Sequence, residues 1–270
     1  MSERSSFAKF LALLLALSSL FLFFHEFYPR MVRPRIPCLL FHQIGPRTKA
    51  SDLWAIPQKK FLAFLDILQQ KGIRTLTLAE VRAAVERGEM PNDPPYVFLT
   101  FDDGCKSHRE RVLPALKTRK MKACFFVALP KEPPDYVLSK EEIPELLEVG
   151  EVQSHTREFT PLPRRPRESK EEHLARMKRD LSDFRSELAE ITGAQVYALA
   201  YPSGEYDFET AQIAMNSGHS LCFTTEYETI GSRHPPHELP RFMVTKATSK
   251  SDILQFVDDY SLYNDVAAFC

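Results

Sequence analysis

From about residue 36 onward, apolar runs of strand length alternate with segments of helical period. Ile36 to His42 is a short apolar run and reads as the first strand. Pro57 then opens a helix whose Phe61, Phe64, Leu65 and Leu68 share one face, and Gly72 closes it. Ile73 to Thr77 predicts a second strand, and Thr77 with Glu80 forms a capping box for the helix that follows. Tyr96 to Phe101 is apolar at nearly every position, the pattern of a central strand buried on both faces. Met121 to Ala128 predicts strand four. Glu151 to Ser154, Gln195 to Tyr201, Ser220 to Thr224 and Arg241 to Thr245 follow as further strands. Between them, Ser139 and Glu142 cap a helix ending at Gly150, and Ser169 and Glu172 cap the longest helix, which stops at Gly193. Asp207 caps a helix that ends at Gly218, and a last helix begins near Ser251.

This alternation predicts an α/β fold, a distorted (β/α) barrel of about seven parallel strands, closed or nearly so. A chain of 270 residues suits one such domain over residues 35–270. Residues 1–34 form a separate unit. Phe10 to Phe24 carries no charge and follows Arg4 and Lys9. Those 15 residues reach only about 22 Å as a helix, against ~30 Å of hydrocarbon. Phe7, Ala8 and a snorkelling Lys9 lengthen the span. The small-x-small site Ala16-Leu17-Ser18 lies inside the apolar run, which favours an uncleaved membrane anchor over a cleaved signal peptide. Arg30, Arg33 and Arg35 compete with Arg4 and Lys9 in setting orientation. The expectation is a membrane-anchored protein with its barrel outside the cytoplasm, in the periplasm or at the cell surface.

Charge changes the picture by exclusion. With 35 basic and 36 acidic residues and no long basic stripe, nucleic acid is not the expected partner. The five cysteines (Cys38, Cys105, Cys124, Cys222 and Cys270) are scattered, odd in number and never spaced Cys-x-x-Cys. They indicate neither a zinc cluster nor a disulfide framework. Cys38 and Cys124 sit in strand-like runs and read as core. Cys105 flanks an aspartate pair; Lys106 would lower its pKa and the two carboxylates would raise it.

That pair, Asp102-Asp103, stands where the central strand meets Gly104. A core cannot satisfy two such carboxylates, because unpaired buried charge is too costly. Alone, Asp-Asp-Gly is commonly a solvated turn. Here His42 ends strand one, His155 ends strand five and Tyr201-Pro202-Ser203-Gly204 ends strand six. The C-terminal strand ends of a β/α barrel share one face, so the four positions converge. One carboxylate on a metal and the other moving protons is the chemistry this arrangement suits.

At this point the chain resembles a known family. Ile36-Pro37-Cys38-Leu39-Leu40-Phe41-His42, Thr100-Phe101-Asp102-Asp103-Gly104, Ser154-His155-Thr156, Ala200-Tyr201-Pro202-Ser203-Gly204 and Leu239-Pro240-Arg241 occur in the order and spacing of the polysaccharide deacetylases. The chain is most similar to the branch that deacetylates poly-N-acetylglucosamine-type exopolysaccharides, and the resemblance covers about residues 35 to 248. It implies a divalent metal (Zn, Co or Ni) and hydrolysis of acetyl groups on a polysaccharide. By resemblance Asp102 is the base, Asp103 and His155 are metal ligands, and the backbone N–H near Ser203 is the oxyanion donor. The family's third ligand falls at Phe159 in His155-Thr156-Arg157-Glu158-Phe159-Thr160-Pro161-Leu162, and phenylalanine binds no metal. Glu158 is adjacent, but one helical residue would rotate it by about 100°. His42 is therefore the expected replacement, with His108 behind it. The family's base-orienting Arg corresponds to Ala200, so Arg241 is expected to serve the base; His234 and His237 lie in a Pro-rich loop. Tyr201, Pro202 and Trp54 are the candidate substrate contacts, Trp54 by stacking on a sugar ring.

Three functions follow as expectations. The preferred one is a membrane-anchored, metal-dependent hydrolase that removes acetyl groups from an N-acetylated polysaccharide. The alternative is a catalytically impaired protein of the same fold that binds glycan at the membrane, supported by the lost ligand. The third is an amide hydrolase acting on a small non-sugar substrate. The intact Asp102-Asp103 pair favours the first, since a binding module has no evident use for a costly carboxylate pair.

Overall fold

The computed structural model describes residues 35–45, 54–88, 91, 95–231 and 233–257. Among the described residues eight strands pair in parallel: β1 (Cys38–Phe41), β2 (Arg74–Thr75), β3 (Tyr96–Phe101), β4 (Ala123–Val127), β5 (Gly150–Ser154), β6 (Ala198–Ala200), β7 (Leu221–Phe223) and β8 (Phe242–Met243). The order across the sheet is β7-β6-β5-β4-β3-β1-β8, and β2 pairs with the start of β3. Helices α1 (Gln58–Gln70), α2 (Leu78–Arg87), α3 (Leu113–Arg119), α4 (Lys170–Met177), α5 (Phe184–Thr192) and α6 (Phe208–Asn216) form the crossovers.

The sheet is an open, curled half-barrel, which corrects the expectation of a closed or nearly closed barrel of about seven strands. Counting βα units predicts how many strands exist, not whether the outermost two meet. Here they do not. The segment between them makes only a single parallel bridge from Leu39's side of the sheet to the other edge: Leu239 bridges Phe223, and Phe242 then joins Leu39. The expected membrane anchor at residues 10–24 lies outside the described residues. Among those described, no helix is long and apolar enough to cross a membrane, and the expectation of a membrane-anchored protein finds no support in them.

Strand alternation divides the core in two. Phe41, Phe101 and Phe125, on one face, stack at 5.2 and 5.3 Å across β1, β3 and β4, and Phe61 and Phe64 of α1 close over Phe41. The concave face holds Cys38, Phe98, Cys124, Phe126, Ala198, Ala200 and Phe223, all fully buried. Both faces are covered, which is why β1, β3 and β4 read as continuous apolar runs.

The local signals are realised at Thr77, Ser169 and Asp207, each of which closes a capping box. Two segments differ from the sequence reading. The helix expected after Ser139 is a 3₁₀ turn, Ile143–Glu148; its buried Ile143 and Leu146 are three residues apart, one 3₁₀ turn. Strand β6 begins later than expected because the buried Gln153 side chain accepts from the Tyr197 and Ala198 amides at 2.8 Å each, replacing a ladder partner.

Candidate functional site

The ends of β1, β3, β5, β6 and β8 open on a cleft of about 270 Å³. Its walls include His42, Trp54, Asp102, Asp103, His155, Phe159, Tyr201, Pro202 and Ser203. Arg241, expected to serve the base, is not part of the wall. It lies behind Asp102, fully buried, in the seam between β7 and β8.

Arg241 donates from both terminal nitrogens to the two Asp102 oxygens at 2.8 Å each. Its Nε donates to the Thr224 carbonyl at 2.9 Å, and its guanidinium lies over Phe126 at 5.4 Å. The pairing answers the electrostatic problem posed by a carboxylate that is only 2% exposed. Asp103 has a different partner. One of its oxygens is 3.5 Å from His155 Nε2, while His155 Nδ1 bonds to the Ala200 carbonyl at 2.9 Å. Burial pushes the Asp103 carboxyl up, but His155 and the nearby His42 and His108 outweigh it and hold it at about 2. Burial pushes His155 down, and the charges of Asp102 and Asp103 reverse this and raise it.

Backbone strain gathers here. Asp103, Thr156 and Ser203 have φ of 75°, 63° and 59°. Left-handed backbone at non-glycine residues costs about 1–3 kcal/mol each and tends to collect at functional sites. Gly204 follows Ser203 at φ 73°, where a Cβ would meet the Thr225 hydroxyl at 2.2 Å.

A metal needs more than this site offers. His42 lines the cleft, but its ring tilts against Trp54 at 5.7 Å and its buried Nδ1 has no hydrogen-bond partner. His108 is core: its Nε2 bonds to the His42 carbonyl at 2.9 Å and its ring packs on Phe101 and Phe125. Residues 157–159 form a bend, not the helix assumed for Glu158, and the Glu158 carboxylate takes the Lys131 amide. Phe159 stands in the wall. Among the described residues no group of three or more His, Cys, Asp or Glu is placed to hold a metal ion. The expected Zn, Co or Ni site of Asp103, His155 and His42 is thereby corrected to a two-residue contact, and with it the metal-dependent hydrolase that rested on it.

Other expectations resolve simply. His234 bonds to the Gly231 amide and approaches Glu228, while the His237 carbonyl accepts from the Tyr201 hydroxyl. Cys105 is buried. The sequence reading missed Leu40, Thr225 and Met243 as wall residues. Leu40 and Met243 end adjacent strands, so strand-end position alone would have found them.

Residues 89–222 match the polysaccharide deacetylase family model. Over 225 residues the chain is 24% identical to YxkH of Bacillus subtilis (strain 168), whose name assigns it provisionally to the polysaccharide deacetylases; the match covers 83% of this chain and 76% of that one. Among solved structures, the Streptococcus pyogenes deacetylase PplD in complex with acetate superposes with a TM-score of 0.74 at 24% identity, covering 83% of this chain and 99% of that one. IcaB from Ammonifex degensii gives 0.69 at 25% identity, over 83% and 97% of the two chains.

Proposed function

We propose that this chain is a member of the polysaccharide deacetylase family and uses the fold as a glycan-binding cleft in which hydrolysis is impaired. The observation that carries the reading is Phe159, an apolar ring in the cleft wall at the position of the family's third ligand, in a site with no three-donor group among the described residues. Retention of the aspartates fits this reading. Asp102 neutralises the buried Arg241 at the seam of the half-barrel, a task that folding requires whether or not substrate turns over.

The remaining wall suits a sugar. Asp103, His155 and Ser203 offer hydrogen-bonding groups to ring hydroxyls or an acetamide, and Trp54, 44% exposed, offers a stacking face at the rim. A cleft of about 270 Å³ accommodates the end of a chain, not a long stretch of it. We take residues 35–270 as the binding domain. Polymers of N-acetylglucosamine are the first candidates, on the strength of the Ala200-Tyr201-Pro202 stretch.

The test is acetate release from N-acetylated oligosaccharides, with and without added Zn²⁺, Co²⁺ or Ni²⁺. The reading expects none above the protein-free control while the oligosaccharide still binds. Metal-dependent release that disappears in Asp103→Asn would overturn it.

A further inference from the structure

A second cleft of about 480 Å³ lies beside the first, and Met243 lines both. Its floor is aromatic. Phe242 and Phe256 stack at 4.7 Å, and both are almost fully buried. Tyr227 sets its ring edge-on against Phe242 at 4.8 Å and tilts against Phe256 at 5.6 Å, yet the residue is 69% exposed. The rim is polar: Thr245, Thr248, Asp252 and Gln255. The Thr245 and Thr248 hydroxyls pair at 3.2 Å, and one Asp252 oxygen accepts from the Ser249 amide.

We propose that this second cleft is an extension subsite that holds a further sugar unit of a polysaccharide whose end occupies the first cleft. The proposal rests on the glycan-binding reading given above. Two physical features favour a sugar over a purely apolar ligand. A pyranose has an apolar C–H face and an equatorial ring of hydroxyls. The cleft answers the face with an aromatic ring and the hydroxyls with threonine, carboxamide and carboxylate groups. The Tyr227 ring is also held in place before any ligand arrives, because the buried Phe242–Phe256 stack supports it. A pre-positioned ring loses little side-chain entropy on binding, and so retains more of the stacking energy as affinity. Continuity selects a polymer. One residue, Met243, borders both clefts, so a single side chain separates the two and successive units of one oligosaccharide could occupy them together. Met is unbranched and adaptable, a suitable floor for a chain that crosses it.

The experiment uses the full chain and N-acetylglucosamine oligomers from the monomer to the hexamer, with affinity read by isothermal titration calorimetry. The expected result is affinity that rises with oligomer length in the wild type. Tyr227→Ala should weaken the longer oligomers about tenfold and leave the shortest ligand that binds unchanged. Tyr227→Phe should restore the wild-type length dependence, because it keeps the ring. Gln255→Ala should reproduce part of the Tyr227→Ala loss. If Tyr227→Ala and Gln255→Ala both bind every length as the wild type does, the extension subsite is wrong and the glycan-binding reading stands. If the wild type binds no oligomer of any length, both fall together.

Discussion

The Arg241 guanidinium holds both oxygens of Asp102 at 2.8 Å across 139 residues of sequence, with Arg241 fully buried and Asp102 nearly so. The pair joins the seam segment to the end of β3, an interior strand of the sheet. Arg241→Met should therefore destabilise the protein by about 3–5 kcal/mol, the usual cost of stranding a buried partner charge. Replacing both residues, as Asp102→Leu with Arg241→Met, should recover most of the loss. Urea unfolding of the two single variants and the double variant measures the difference, and an additive double variant would show that the pair is not coupled.

A second buried cation anchors the loop that carries Phe159. Arg176 donates to the carbonyls of Pro161, Leu162 and Pro163 and to both oxygens of Glu168. Hydrogen bonds from Arg176 hold the Glu168 carboxyl down at about 2; burial opposes them and the Arg165 amide assists. A carboxyl depressed in the folded state adds stability that is complete above its ordinary value of 4.5 and is lost as pH falls toward 2. The stability gap between wild type and Glu168→Gln should be constant near neutrality and shrink across that acid window. A gap that widens in acid would contradict the assignment.

How far the sequence reveals this molecule depends on the range of each interaction. Thr77, Ser169 and Asp207 were legible because a capping box lies within four residues. The central strand was legible because burial on both faces leaves a continuous apolar run. Closure of the sheet was not, since it depends on whether β7 and β8 meet, and no local pattern encodes that distance. Gln153 shows the same limit: its side chain replaces a ladder partner for residues more than forty positions away. At the site, strand-end position identified most of the cleft wall. It placed His42 in that wall too, but not the role expected of it: the ring lies against Trp54, and no three-donor group forms among the described residues.

Phe159→His puts imidazole where the wall has an apolar ring. With no three-donor group among the described residues, the wild type should hold Zn²⁺ no better than exposed surface side chains do. The variant should bind at least about tenfold more tightly, equivalent to ~1.4 kcal/mol, because it adds a third donor to Asp103 and His155. Competition against a chromogenic chelator gives both constants. Equal affinities would mean that residue 159 does not face the other two.

Gly204→Ala tests the shape of the wall next to Ser203. The new Cβ would lie 2.2 Å from the Thr225 hydroxyl and 2.9 Å from its backbone nitrogen, at a φ of 73°. The expected cost is about 1–3 kcal/mol of stability, with weaker oligosaccharide binding. Thermal unfolding and calorimetry report the two effects, and an unchanged variant would show that this turn has room to spare.

The central claim is that the cleft binds glycan without cleaving it, and Trp54 gives the most direct test. It is the only tryptophan in the chain and lies at the cleft rim against His42. Its emission therefore reports on ligand entering that cleft. An N-acetylglucosamine oligomer titrated into the full chain with Zn²⁺ present should change the emission saturably, while acetate in the same sample stays at the level of the protein-free control. Acetate that accumulates with time and disappears on chelation, or emission that never responds to the oligomer, would contradict the account.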